Sequence, residues 1–276
     1  MITIIVDSTS DINEEISKEY DITVLPITVD INGVTYQDRV NLTPTEFYNQ
    51  IKGKNVFAKT SQVTPSAFEE VFSREINKGN KVICLTLSSK LSGTFNSANI
   101  AKNTLESDDI YIIDSKTASF GLGLLAIESA KMAKKGCGVD EILTRINNLI
   151  DNQTAVGYID SLDALCKNGR ISASSAMVGG MLGIKPILTL NDGKIEVAGK
   201  TRGQKAALKQ VLAQLSKENI DEEIGLYIGY SNDDDVLTSS LLNNLSKDMP
   251  ALKTQIGPGV GAHLGLGSLL VFYVTK

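Results

Sequence analysis

Apolar positions fall into two patterns along this chain. Short unbroken runs at Ile2 to Val6, Val82 to Leu87 and Ile110 to Ile113 predict strands buried on both faces. Between them the apolar residues recur at helical spacing. Phe68, Val71, Phe72 and Ile76 fall on one helical face, and Ile142, Leu143, Ile146, Leu149 and Ile150 on another. Punctuation agrees with this division. Thr43-Pro44-Thr45-Glu46 is a capping box with proline at the first helical position, and Thr64-Pro65 repeats the start. Further helices are predicted over Ile12 to Tyr20, Phe95 to Leu105 and Phe120 to Lys135, and one capped by Asp140. Ile22 to Asp30 reads as one extended run, turned back at Asn32-Gly33. Strand and helix in alternation argue for a parallel sheet with helices on both faces.

The pattern changes after the stretch from Asn152 to Ala155. Val156 to Ile159 predicts a strand and Ser161 to Cys166 a helical turn. Ile187 to Leu190 and Lys194 to Val197 flank Asn191-Asp192-Gly193, a hairpin signal. Leu208, Val211, Leu212 and Leu215 form a helical face, Ile224 to Tyr230 a strand, Val236 to Leu245 a helix and Leu269 to Val274 a closing strand. A hairpin among helices points to a mixed or antiparallel sheet. The chain therefore divides into an N-terminal α/β domain, 1–155, and a C-terminal α/β domain, 156–276, with the segment around 56–80 packing with the second.

Composition narrows the function classes. Of 276 residues, 42% are hydrophobic and 21% charged, enough to build a core that hides a sizeable ligand. A formal net charge of −5 argues against nucleic acid and anionic membrane as partners. Cys84, Cys137 and Cys166 are widely spaced, and with one histidine no Cys/His metal site is expected. The start MITIIVDS lacks the pattern of a signal peptide, and no apolar run reaches the roughly 20 residues of a membrane span, so the expected location is the cytoplasm without membrane insertion.

Candidate chemistry gathers at hydroxyl-rich turns. Ser92-Gly93-Thr94 joins a strand end to a helix start, where free N–H groups and the helix dipole favour an anion, and Ser92 is the expected N-cap. Lys59-Thr60-Ser61-Gln62 is a second such turn at a helix entrance, and Asp7-Ser8-Thr9 closes the first strand. His263 sits in a glycine-dense stretch read as a loop, its glycines preceding no helix. Ser92 and His263, with Asp7 or Asp114, leave a serine hydrolase or esterase open, although no G-x-S-x-G elbow is present. A non-lipid interaction or regulatory protein is a further alternative. No P-loop occurs; Gly121 and Gly123 read as helix packing, and Asp233-Asp234-Asp235 as a helix N-terminal acid cluster.

In order and spacing, IIVDSTSDI, KTSQVTPSAFEEVF, SSKLSGTFNSA, IIDSKTASFGLGLL, CKNGRISASSAMVGGMLGIKPIL, VAGKTRGQKA and IGPGVGAHLG resemble the DegV family over the whole chain. The resemblance implies two α/β domains with a ligand tunnel between them that holds a long-chain, palmitate-like fatty acid. It also implies a carrier without catalytic residues, cofactor or metal, similar to the lipid-binding (FakB-like) subunit of bacterial fatty acid kinase. The partner would be a FakA-like kinase subunit, which phosphorylates the carboxylate for phospholipid synthesis. By the same resemblance Thr60, Ser61, Ser92, Gly93, Thr94 and His263 hold the lipid headgroup, while Arg170 and Arg202 meet the kinase or the phosphate. Met177, Met181, Leu182 and Ile184 are candidate tunnel lining. Two stretches depart from the family pattern. His263-Leu264-Gly265-Leu266-Gly267 stands where H-T-G-P-G is usual, and Lys167-Asn168-Gly169-Arg170-Ile171 where R-G-G-R-I is usual.

Overall fold

A computed structural model describes residues 1–53, 56–171, 183–231, 236–245 and 249–276. In the first half, β1 (Ile2–Asp7), α1 (Glu14–Tyr20) and β2 (Ile22–Leu25) are followed by β3 (Thr28–Ile31), β4 (Val34–Gln37), α2 (Pro44–Ile51) and β5 (Ala58–Ser61). Then come α3 (Pro65–Asn77), β6 (Lys81–Thr86), α4 (Thr94–Leu105), β7 (Ile110–Asp114), α5 (Phe120–Lys134) and α6 (Val139–Asn152). Four strands form an all-parallel sheet in the order β2-β1-β6-β7. Its side chains alternate between two cores. Ile4, Val6, Ile83 and Leu85 face α5 and α6, while Ile5, Val82 and Cys84 face α3 and α4. The helices thus cover both faces, as the unbroken apolar strands require.

The second half contains β8 (Gln153–Tyr158), α7 (Asp163–Lys167), β9 (Ile184–Asn191), β10 (Lys194–Arg202), α8 (Gln204–Leu215), β11 (Leu226–Tyr230), α9 (Val236–Leu242), β12 (Ala251–Gln255), α10 (Pro258–Leu264) and β13 (Leu269–Val274). Six strands form a mixed sheet, β10-β9-β8-β13-β11-β12, antiparallel except for β11 with β12. Helix α5 lies between the two sheets, touching β1 and β6 on one side and β8, β11 and β13 on the other. It is buried on nearly every side from Phe120 to Ala130, which explains why its sequence is apolar all round. Gly121 belongs to this packing: a Cβ there would stand 2.6 Å from the Phe272 ring.

Several expectations need correction. The run Ile22 to Asp30 is two strands in different sheets. It breaks at Pro26, which has no N–H to give to a ladder, and β3 enters a separate antiparallel sheet, β4-β3-β5. Lys59-Thr60-Ser61 is strand rather than turn, since β5 pairs Thr60 with Val29. The first helix begins at Glu14, where the Asn13 side chain accepts from Ile16 N–H, and Ser8–Ser10 forms a separate 3-10 turn. Gly138, not Asp140, precedes α6. The glycine-dense stretch holds a helix, α10, entered through Gly257-Pro258. Helix α9 ends at Leu242, earlier than Leu245. Met177, Met181, Leu182 and Asp233-Asp234-Asp235 lie outside the described residues.

Candidate functional site

Three elements converge where the parallel sheet meets the mixed one. The turn after β6 delivers Leu91, Ser92 and Gly93, and the end of β5 delivers Thr60, Ser61 and Gln62. Helix α10 delivers Val260, His263 and Leu264. Together with Thr9, Ile27, Leu87, Ala118, Arg170, Ile195 and Gly259 they enclose a chamber of about 370 Å³. The expected residues Thr60, Ser61, Ser92, Gly93, Arg170 and His263 therefore share one cavity. Thr94 is buried behind it and reaches it through Ser92. Arg202, at the end of β10, is exposed and lines none of this chamber; Ile184, which pairs with it, is also absent from the wall.

The hydroxyls are held by short local bonds. Thr60 Oγ1 lies 2.9 Å from His263 Nε2. Ser92 Oγ accepts the Thr94 N–H at 3.2 Å and lies 3.0 Å from Thr94 Oγ1. Helix α4 starts at Thr94, one residue before the expected Phe95, and its N-cap is Gly93 rather than Ser92, whose side chain accepts the Thr94 N–H from just outside. The position leaves no room for a side chain: a Cβ on Gly93 would lie 2.0 Å from Gln62 Oε1, while Gln62 Nε2 donates to Ser97 Oγ at 2.7 Å. The twelve-residue helix α4 thus begins at the chamber with its partial positive charge toward it.

His263 is neutral in this setting. Burial, with a smaller contribution from the Arg170 charge, pushes its pKa down to about 4. Arg170 donates from Nε to the Leu91 carbonyl at 3.1 Å and from Nη1 to the Asn168 carbonyl. Asn168 in turn donates to the carbonyls of Ala58, at 3.4 Å, and Ala262, at 3.2 Å, tying α7 to β5 and α10. Among the described lining residues Arg170 is the one permanent cation.

A hydrolytic triad does not assemble. His263 pairs with Thr60 rather than Ser92, and its Nδ1 has no partner among the described residues. Asp7 is turned elsewhere, accepting from Thr9 and, at 2.8 Å, from Leu87 N–H. Burial raises its pKa to about 6 against those bonds. Asp114 accepts from Ser89 and Lys116 N–H, both at 3.1 Å. Among the described residues no group of three or more His, Cys, Asp or Glu side chains is arranged to hold a metal ion.

Beside this chamber lies an apolar one of about 60 Å³. Leu91, Ala118, Ile195, Val260 and Leu264 line both. Beyond them stand Ala155, Gly157, Leu188, Leu190, Leu270 and Phe272, with Ser119 and Thr189 as the polar neighbours among the described residues. The first chamber presents hydroxyls, an imidazole and a guanidinium; the second presents hydrocarbon. Sequence reasoning missed Leu91, Ala118 and Val260, because each looks like ordinary core until the two sheets are set face to face.

What positions α10 was also missed. Arg39 lies 3.3 Å from Asp11 and donates to the Gln255 carbonyl just before α10. Asp11 also accepts from Gly257 N–H at 2.7 Å and Ser119 Oγ at 2.5 Å. Asp38 accepts from Ser8 Oγ at 2.8 Å. Gly259 and Gly261 let α10 sit on this cluster: a Cβ would come within 2.6 Å of Asp38 Oδ2 at the first and 2.7 Å of the Tyr48 hydroxyl at the second. The glycines serve helix packing here.

Comparison with known proteins follows the same lines. A family model described as an uncharacterised protein of the DegV family matches residues 1–276. The chain is 35% identical over 275 residues to a DegV domain-containing protein of Clostridium acetobutylicum, covering 100% of this chain and 99% of that one. Its structure resembles that of a DegV family protein from Thermus thermophilus described by its fatty acid binding. The TM-score there is 0.90 at 28% identity, covering 100% of this chain and 99% of the other. It also resembles a stearic acid-binding protein from Eubacterium ventriosum, with a TM-score of 0.89 at 25% identity over 100% and 99% of the two chains.

Proposed function

The chain belongs to the DegV family, and on that premise we propose that it binds one long-chain fatty acid and presents its carboxylate to a partner kinase. The observation that carries the reading is a hydroxyl-lined chamber beside an apolar one, with Leu91, Ala118, Ile195, Val260 and Leu264 lining both. Fatty acid binding by the Thermus and Eubacterium relatives supports the ligand class. The carboxylate sits between Thr60 and Ser92 at the start of α4, and the tail runs past Leu91, Ala118 and Val260. In this reading His263 is the neutral Nε2–H tautomer, which donates to Thr60 Oγ1 and leaves the Thr60 proton for the carboxylate. Ser92, whose oxygen already accepts from Thr94 N–H, gives its own proton to the same group. Ser61 and the Gly93 N–H complete the headgroup site.

Magnitudes divide the labour. Each buried methylene contributes about 0.8 kcal/mol, so roughly 14 of them supply about 11 kcal/mol before costs. A charge-assisted hydrogen bond adds about 1.5–3 kcal/mol. The tail supplies affinity; the hydroxyls fix direction and spare the carboxylate an unpaired burial. Native mass spectrometry of freshly purified protein is expected to show bound fatty acid. Ser92→Ala is expected to weaken binding by about 10- to 100-fold. Unchanged affinity in the Thr60→Val, Ser92→Ala double variant would remove the headgroup assignment.

Presentation to the kinase rests on the two arginines. Arg170 lies at the chamber wall, and Arg202 is exposed at the end of β10, where a second protein reaches it. Arg170 stabilises the charge that develops as the acyl phosphate forms, and Arg202 docks the partner. Arg202→Ala is expected to keep full lipid binding while lowering phosphorylation by the partner. Equal loss of both activities would place Arg202 in the lipid site instead.

A further inference from the structure

Leu190 borders two spaces of opposite character. On one side it lines the apolar chamber. On the other it lines a polar cleft of about 280 Å³ that also touches Lys116, Asp151, Gln153 and Asp192. Its cross-strand partner is Ile195, which stands at the junction of the apolar chamber with the hydroxyl-lined one. We infer that Leu190, flanked by Ile195, is the end-stop of the tail chamber and sets the length of acyl chain that the protein accepts; this rests on the fatty acid reading above.

The wall is held rather than free to swing. Ser88 Oγ donates to the Gly193 carbonyl at 2.7 Å, anchoring the β9–β10 turn to the loop after β6. Lys116 Nζ stands 4.0 Å from Asp192 in the same turn. A chain longer than the chamber therefore cannot displace the hairpin without breaking these contacts. Were it to pass Leu190, its terminal methylenes would meet charged and amide groups that bind water better than hydrocarbon. The stop is thus steric on the near side and chemical on the far side. Shortening Leu190 opens the first barrier and fills the extra space with tail; enlarging it takes room from the tail.

The test is displacement of a fluorescent fatty acid from delipidated protein by saturated acids from lauric to behenic, for the parent, Leu190→Ala, Leu190→Phe and Leu190→Met. Leu190→Ala is expected to move the preferred length upward by about two carbons, with about a fourfold gain for each methylene newly accommodated. Leu190→Phe is expected to move it downward, and the volume-conserving Leu190→Met to keep the parental profile. Thermal unfolding of the delipidated variants shows which of them fold. Leu190→Phe carries the test if Leu190→Ala does not fold. Identical length profiles in the folded variants would overturn the stop. A parent that binds none of the acids would overturn the fatty acid reading itself, which is a different result.

Discussion

Ala118→Trp is expected to leave the protein folded but empty. Ala118 lines both chambers at the point where hydroxyl-bearing wall gives way to hydrocarbon. An indole at that point occupies the course of the tail. Excluding even four methylenes removes about 3 kcal/mol, a factor of more than about 100 in affinity. The expected result is absence of fatty acid from the freshly purified variant in native mass spectrometry, and at least a hundredfold weaker titration of delipidated protein. Stability must be compared with delipidated parent, because a ligand that binds only the folded state raises its apparent stability. Retention of a full complement of fatty acid would show that the tail does not pass Ala118. The effect exceeds that of losing a headgroup hydroxyl, because one bond is worth less than several methylenes.

Arg39→Met is expected to cost about 3–5 kcal/mol of folding stability at pH 8, the usual consequence of removing one partner from a buried ionic cluster. Asp11 and Asp38 are both buried, and Arg39 is the cation beside them. Burial raises the pKa of each carboxyl against the pull of that charge, Asp38 to about 7. The sign of the pH dependence follows. Between about pH 4 and 7 the unfolded chain has lost the Asp38 proton while the folded chain keeps it, so this group's contribution to stability falls as pH rises through that window. Asp7 acts in the same sense up to about pH 6, and His263, whose folded pKa is depressed to about 4, acts in the opposite sense between about pH 4 and 6.5. Removing the cation makes ionisation costlier still, so the penalty of Arg39→Met should shrink as pH is lowered to about 5 and the carboxyls take up protons. Denaturant unfolding at both pH values measures this. A penalty under about 1 kcal/mol at pH 8, or one that does not change with pH, would mean that the cluster carries little of the fold. Since Arg39 also bonds the Gln255 carbonyl at the approach to α10, a destabilised but folded variant should misplace His263 and weaken the headgroup site.

Local signals were sufficient for much of the architecture. The parallel strands were legible because burial on both faces demands unbroken apolar runs, and α3 and α6 because each shows a single apolar stripe. The β9–β10 hairpin was marked by Asn191-Asp192-Gly193. Failures cluster where non-local contact decides the conformation. Residues 58–61 lack an apolar run, yet they become strand because β3 offers a free edge. Residues 258–264 are rich in helix-disfavouring glycine, and their helix is held from outside by Asp11, Asp38 and Arg39. The extended run from Ile22 changed sheets at Pro26, which a pattern of apolar residues cannot reveal.

By itself, the order of residues determined the two kinds of sheet, most of the helices and the hydroxyl-bearing turn at Ser92, since each depends on periodicity, capping or turn chemistry within a few residues. Its motifs also placed the chain in its family. Only the tertiary structure decided that Thr60 touches His263 across 203 positions of sequence, that Ser92 bonds Thr94 rather than that imidazole, and that Leu91, Ala118, Val260 and Leu190 wall a cavity instead of filling a core. The reason is physical: an apolar side chain obeys the same pattern whether it packs against protein or borders a space, and only the arrangement of distant surfaces distinguishes the two.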